Sequence, residues 1–355
     1  MFWGPALHSA VLSVTSLCSS PQSEGLVRRS EVPAGVTSRA GKIVPQCWTR
    51  GNLLRAAIDV GTNSVLALVA ELDEQAGRRQ LRVRWEEEVL TRLGEGVAET
   101  GFLAPQAVRR TAEAVASLAG HCRKLGAEDI VIAATSAARD AGNFEVFRQA
   151  VYERTGLPVR VLSGQEEAYA AFRGARAGHP EVDGSCLVID VGGGSTELVY
   201  GHDEPRSWTS LNIGSVRLKE QWLRHDPFTA EEWTQLCHRI QQALLSALWE
   251  MPRPVEVAIG VGGTVTTLAM LEAGLPRYEA QQIHGMPLAA RSIEAWASKL
   301  AQMTYKERTG LPGVAPLRGD VLPVGAQILA ETLRAFGLQS LLVSTFGIRH
   351  GLLLE

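Results

Sequence analysis

A strand that ends in aspartate and turns back through glycine occurs twice in this chain. Residues 56–64 read AAIDVGTNS and residues 187–197 read LVIDVGGGSTE; the runs VLALVAEL and ELVYG follow them as second strands. Glycine lets the backbone bend until successive N–H groups point at one anion, with no Cβ in the way. Gly61, Gly192, Gly193 and Gly194 supply that freedom, and Thr62, Asn63, Ser64, Ser195 and Thr196 add side-chain donors. Asp59 and Asp190 cannot bind phosphate directly, because like charges repel. At the mouth of such turns they suit a hard cation or its waters. One such turn reads equally well as an ordinary β-hairpin. Two copies, roughly 130 residues apart, point to two related domains gripping one phosphorylated ligand between them.

Composition sets the outer bounds. The chain has 355 residues, 45% of them hydrophobic, and a formal net charge of −3, which leaves room for two domains. That mild acidity argues against nucleic acid or an anionic membrane as partner, since either wants a basic face. Cys18, Cys47, Cys122, Cys186 and Cys237 are odd in number and form no C-x-x-C pair, which reads as reduced cytosolic thiols. No stretch is long and apolar enough to span a membrane. Residues 1–53 are rich in Ser, Pro, Gly and Arg, lack periodicity, and begin without the basic region of a signal peptide. They are expected to be a disordered tail or an upstream start assigned in error, with the native start near Leu53 or Leu54.

Beyond the first hairpin, LRVRWEEEVL alternates as a strand and EGVAETGFLAP reads as a loop. A helix is expected from Pro105 to Leu125, a buried strand at DIVIAATS, and a helix at FEVFRQAVYERT with Asn143 as N-cap and Gly156 as its stop. SGQEEAYAAFRGAR starts a helix leading to the second hairpin, with domain boundaries expected at 54–182 and 183–355 and the last helix, 346–355, expected to pack back on the first domain. The segment VEVAIGVGGTVTTLAML then reads strand, glycine turn, helix. Gly262, Gly263 and Thr264 there form either a third phosphate site at a helix N-terminus or a plain strand-to-helix turn. Strands alternating with helices give an α/β class, and the repeated strand–hairpin–strand openings point to paired ribonuclease-H-like domains with a cleft between.

Three acidic or basic positions carry the candidate chemistry. Ser163 and Glu166 form a capping box, and Glu167 lies about 100° further round the helix. Glu167 is either a general base that orients water or one of two acids that offset the helix dipole. Glu197 lies across the second hairpin from Asp190, where the two can share a divalent ion; alternatively it is a solvated strand residue. Arg139 sits at the C-terminal edge of a strand and either pairs with phosphate or makes a surface bridge to Asp140 or Glu145. His284 and His350 come with no metal-ligand spacing.

As a set, AAIDVGTNSVLALVAEL, ATSAARDAGNFEVF, VLSGQEEA, LVIDVGGGSTELV, AIGVGGTVTTLA and VLPVGAQILAETL with LLVSTFGIRHGLLLE resemble, in order, the exopolyphosphatase/guanosine pentaphosphate phosphatase family (Ppx/GppA). The resemblance covers about residues 54–355 and implies the sugar kinase/Hsp70/actin superfamily. It also implies a cytoplasmic hydrolase that takes terminal phosphates from polyphosphate, or the γ-phosphate from guanosine pentaphosphate, with Mg²⁺ or Mn²⁺. By motif, Glu167 matches the general base, Asp190 and Glu197 the metal-site and water-orienting acids, and Asp59 the first-hairpin acid. The glycine turns match the phosphate cradle, and Arg139 an arginine near the substrate. Members commonly pair as homodimers. Two features depart from the pattern. His350 stands where the family usually has an acid, and the chain ends after the second domain, which implies weak processivity. The competing expectations are an ATP-dependent small-molecule kinase, with GVGGT as adenosine site, and a non-catalytic nucleotide sensor.

Overall fold

The computed structural model describes the backbone of residues 54–75 and 78–355, and side chains across that range except at 74–79. The expectation for residues 1–53 lies outside the described residues. The first half of the fold begins with the strands β1 (Leu54–Val60), β2 (Ser64–Gln75) and β3 (Arg78–Leu90). Then come α1 (Val97–Thr100), α2 (Pro105–Lys124), β4 (Asp129–Ala134), α3 (Ser136–Asp140), α4 (Phe144–Thr155), β5 (Val159–Val161) and α5 (Gly164–Gly178). The second half repeats the opening with β6 (Cys186–Val191), β7 (Thr196–Gly201) and β8 (Pro205–Leu211). It continues through α6 (Ser215–Trp222), α7 (Ala230–Glu250), β9 (Ala258–Val261), α8 (Gly263–Ala273), α9 (Ala280–Ile283), β10 (Pro287–Ala289), α10 (Ala290–Gln302) and α11 (Tyr305–Thr309). It closes with α12 (Leu322–Phe336), β11 (Ser340–Val343) and α13 (Ile348–Leu354).

The two sheets share one plan. The first runs β3-β2-β1-β4-β5 and the second β8-β7-β6-β9-β11-β10. In each, three antiparallel strands precede a parallel crossover, β1 beside β4 and β6 beside β9. This is the ribonuclease-H-like α/β arrangement expected from the repeated hairpins. The central strands are apolar on both faces because both are covered. Ala56, Ile58 and Val60 of β1 pack with α2 and α4, while Ala57 packs with Leu352 and Leu353 of α13. On the second sheet, Leu187, Ile189 and Val191 face α7, α10 and α12, and Val188 faces Ala168, Phe172 and Ala175 of α5.

The halves exchange helices. α5, which follows the first sheet, packs on the second; α13, at the chain's end, packs on the first. They cross in backbone contact, because a side chain at Gly174 would overlap the Gly347 carbonyl and one at Gly351 would overlap that of Ala170. Glycine is needed at both positions for that approach. Two local expectations need correction. The EGVAETGFLAP segment contains the short helix α1 between two left-handed glycines, Gly96 and Gly101. Asn143 precedes α4 but makes no side-chain cap; its amide instead exchanges hydrogen bonds with the Leu103 backbone at 2.8 and 3.0 Å. The long-range tie outcompetes the local one.

Candidate active site

The two hairpins are built alike. The Gly61 N–H donates to the Ser64 carbonyl at 2.9 Å, and the Gly192 N–H to that of Ser195 at 3.0 Å. The segment after the third strand of each sheet grips the tip. Thr91 and Arg92 donate backbone N–H groups to the Asn63 carbonyl; Val216 and Arg217 donate theirs to the Gly193 carbonyl. The tips meet, since a Cβ on Gly193 would lie 2.9 Å from Thr62 Cβ and one on Gly194 would lie 3.0 Å from Thr62 Oγ1. Thr62 fills the space left at Gly193, and Ser136 together with Thr62 fills that left at Gly194. Arg217 fixes the junction, donating through Nε to the Gly194 carbonyl at 2.7 Å and pairing with Asp140 of the first half.

Behind the tips lie four buried acids, Asp59, Glu167, Asp190 and Glu197. Each Asp is the penultimate residue of a central strand, and Glu197 is the direct register partner of Asp190. Glu197 is thus not a solvated strand residue. The capping box is present: Ser163 Oγ accepts from the Glu166 N–H at 3.2 Å, and Glu166 accepts from the Ser163 N–H at 2.8 Å. It turns the two neighbouring glutamates to different fates. Glu166 pairs with Arg160, whose hydrogen bond holds it well below the usual carboxylate range. Glu167 points inward, where burial raises its pKa against the pull of Arg139.

The acids act on one another. Burial, then Glu167 and Asp190, pushes Asp59 up to about 8; burial and Glu167 push Asp190 to about 7. Glu197 is raised by burial, then by Glu167 and Asp190, with the Ser210 and Ser195 hydroxyls opposing. Asp59 Oδ1 is buried without a hydrogen-bond partner. A cluster short of positive charge, with an orphaned carboxylate oxygen, fits a bound cation. Sequence reading assigns Asp59, Asp190 and Glu197 to a metal. Among the described residues, no three His, Cys, Asp or Glu side chains converge into a metal cage. The cluster fits an ion such as Mg²⁺, which takes one or two carboxylates and fills its other positions with water and phosphate oxygens.

Of its two sequence-based alternatives, Arg139 does not make the surface bridge to Asp140 or Glu145. It pairs with Glu167 and donates to the Leu162 carbonyl at 2.9 Å, while Asp140 is taken by Arg217 and Glu145 by Arg148. At the third glycine turn, Gly262 lies beside Asp190, a Cβ there meeting Oδ1 at 2.9 Å. Gly263 is covered by the Arg318 guanidinium, which donates to its carbonyl and also pairs with Glu88 of the first sheet. Thr264 packs toward Gly325 of α12. The second-half turn thus joins the site through Gly262, whereas Thr264 leaves it. Sequence reading missed Arg318, Arg217 and Arg349. Arg349 donates to the Ala67 carbonyl and pairs with Glu86 at 3.0 Å. Their partners in the first half are 77 to 282 positions away in sequence, so no local signal marks them. His350 is buried and held neutral by burial and by Arg349, so Nδ1 accepts from the Gly347 N–H at 3.2 Å. It thereby makes the reciprocal bond that an acid at this helix position would make. His284 stacks on His179, meets the Phe346 ring at a tilt, and accepts from the Thr345 N–H.

Paired phosphate hairpins over buried carboxylates, between two ribonuclease-H-like halves, define a phosphate-processing enzyme. The chain belongs to the Ppx/GppA phosphatase family, whose model matches residues 68–355. It is 36% identical to Exopolyphosphatase 2 of Mycobacterium tuberculosis over 312 residues, spanning 84% of this chain and 97% of that one. Among solved structures it is similar to the Aquifex aeolicus family member, at 32% identity and a TM-score of 0.71, covering 86% of this chain and 97% of that one. An exopolyphosphatase-like protein, 31% identical, gives a TM-score of 0.80 and covers 85% and 97%.

Proposed function

We propose that this chain hydrolyses the terminal phosphoanhydride bond of inorganic polyphosphate and releases orthophosphate. The observation that carries the reading is the convergence of Glu167, Asp190 and Glu197 behind two touching phosphate hairpins. Backbone N–H groups and hydroxyls at the two hairpin tips hold the terminal and adjacent phosphates, the Gly61 and Gly192 N–H groups being spent inside the hairpins. Glu167 receives the proton of the attacking water, and Arg139, paired with it in the resting site, offers a guanidinium to the transferred phosphate. Glu197 and Asp190 orient that water and hold the divalent cation. When bound, Mg²⁺ neutralises charge that builds on the bridging oxygen. Phosphoryl transfer needs mainly positioning and charge stabilisation, which these parts supply.

Guanosine pentaphosphate is the second substrate of this reading, on the strength of the family alone. The kinase alternative is weakened by Arg318, which fills the space over Gly263 where an adenosine would sit. The membership is compatible with a cytoplasmic enzyme and with homodimers. Among the described residues, no helix is long and apolar enough to cross a membrane. The test is phosphate release from polyphosphate, guanosine pentaphosphate and ATP in parallel, with Glu167→Gln and Glu166→Gln as probes. Glu167→Gln should lose about 10²–10⁴-fold in kcat and keep polyphosphate binding. Glu166→Gln should act on stability through the cap. A dead Glu166→Gln beside an active Glu167→Gln overturns the assignment.

A further inference from the structure

β8 lies beside β7, with Ser210 the register partner of Glu197. Its Oγ donates to Glu197 Oε1 at 2.7 Å. Glu197 is buried, so the direction of its carboxylate is set by the few groups that reach it, and Ser210 is the one on the neighbouring strand. The same side chain is also the packing point for α5. A Cβ on Gly164, the first residue of that helix, would lie 3.1 Å from Ser210 Cβ and 3.3 Å from its Oγ. Gly164 is followed three residues later by Glu167. One hydroxyl thus sits between the strand that carries Glu197 and the helix turn that carries Glu167, and the missing Cβ at 164 is what leaves it room. Trp208, two residues away on β8, braces the same turn edge-on against Tyr169.

We propose that Ser210 is a positioning residue that aims the Glu197 carboxylate into the site, and that Gly164 is the gap that keeps it aimed. The inference rests on the reading that Glu197 works in phosphate release. Partners that orient a working carboxylate contribute about 10–100-fold to activity when removed. Ser210 acts through Glu197 and not on the phosphate-holding tips, so the loss should fall on kcat and not on KM.

The experiment compares the full-length parent with Ser210→Ala, Ser210→Cys, Gly164→Ala, Glu197→Gln and the Ser210→Ala/Glu197→Gln double variant. Steady-state phosphate release from polyphosphate and the thermal midpoint are measured for each. Ser210→Ala should lose about 10–100-fold in kcat with KM within about twofold, at an unchanged thermal midpoint. Ser210→Cys, similar in size and a weaker donor, should fall between the two. Gly164→Ala should lower kcat in the same way, because its methyl displaces the hydroxyl. In the Glu197→Gln background, Ser210→Ala should add almost nothing, since residues acting through one group are not additive. A Ser210→Ala kcat within about twofold of the parent, or an additive loss in the double variant, overturns the positioning role. A Glu197→Gln variant with full activity overturns instead the reading of the site on which it rests.

Discussion

The two hairpins have one backbone and two jobs. Read across the strands, the first row is Asp59, Leu66, Glu88, and the second is Asp190, Glu197, Ser210. Both begin with a buried aspartate. In the second row the next side chain is an acid, oriented by a hydroxyl. In the first it is a leucine, and the acid one strand further out is tied to Arg318 of the other half. The tips differ in the same sense. The first carries Thr62 and Asn63; the second offers bare Gly193 and Gly194, against which Thr62 packs. The two rows thus share one turn, while of the buried acids on the hairpins Asp190 and Glu197 come from the second and only Asp59 from the first. Symmetry of fold leaves each half free to specialise, because register alone decides which side chain faces the cleft.

The largest test of this contrast moves the acid. Glu197→Leu, which copies the first row into the second, should lower phosphate release by about 10²–10⁴-fold. Adding Leu66→Glu should not restore it, because Leu66 has no hydroxyl partner on β3 to orient an acid placed there. Recovery in the double variant would show that the rows are interchangeable.

The tips come next. Gly193→Ala places a methyl 2.9 Å from Thr62 Cβ of the other tip, whereas Gly61→Ala meets only the Ser64 carbonyl at 3.2 Å. Urea unfolding should show Gly193→Ala losing about 1–3 kcal/mol, and Gly61→Ala less. Equal losses would mean the tips do not rest on each other.

The shared aspartates give a smaller effect through pH. Their folded pKa values, about 8 for Asp59 and about 7 for Asp190, lie above the unfolded value of about 3.9. The folded state then binds more protons than the unfolded state across that window, so these two groups lower stability as pH rises through it and level off above about 8. In chelator, the thermal midpoint should fall between about pH 6 and about pH 8, and Mg²⁺ should raise it more at the upper end. Asp59→Asn should flatten the slope. A metal-free midpoint that rises over this range would contradict the raised values.

The smallest effect is expected at Leu66. It is half-buried and takes no part in the proposed chemistry. Leu66→Met should leave turnover within about twofold of the parent and stability within about 1.5 kcal/mol. A large fall in kcat would bring the first row back into the reaction.

The strand–Asp–glycine repeat by itself determined much of this protein. Period-2 and continuous apolar runs specify strands, glycine specifies the turns, and Ser163 with Glu166 specifies the start of α5. From these the α/β class, both hairpins and the four acids were legible, because each depends on neighbours within a few residues. The return of the last helix to the first half was an expectation, but the packing of α5 on the second sheet was not legible, nor were the partners of Arg139, Arg217, Arg318 and Arg349. Asn143 shows why: its local cap was available, and a residue 40 positions away took its amide instead. An arginine on a long side chain pairs with whichever carboxylate packing brings near, and that choice is made only when the two sheets close on each other. Register had the same effect at the site. Sequence placed Asp190 and Glu197 on one hairpin, but only the third strand's alignment put Ser210 beside Glu197 and Glu88 beside Leu66. Pairing with a third strand is a tertiary fact, set by burial of one face and not by any residue's own preference.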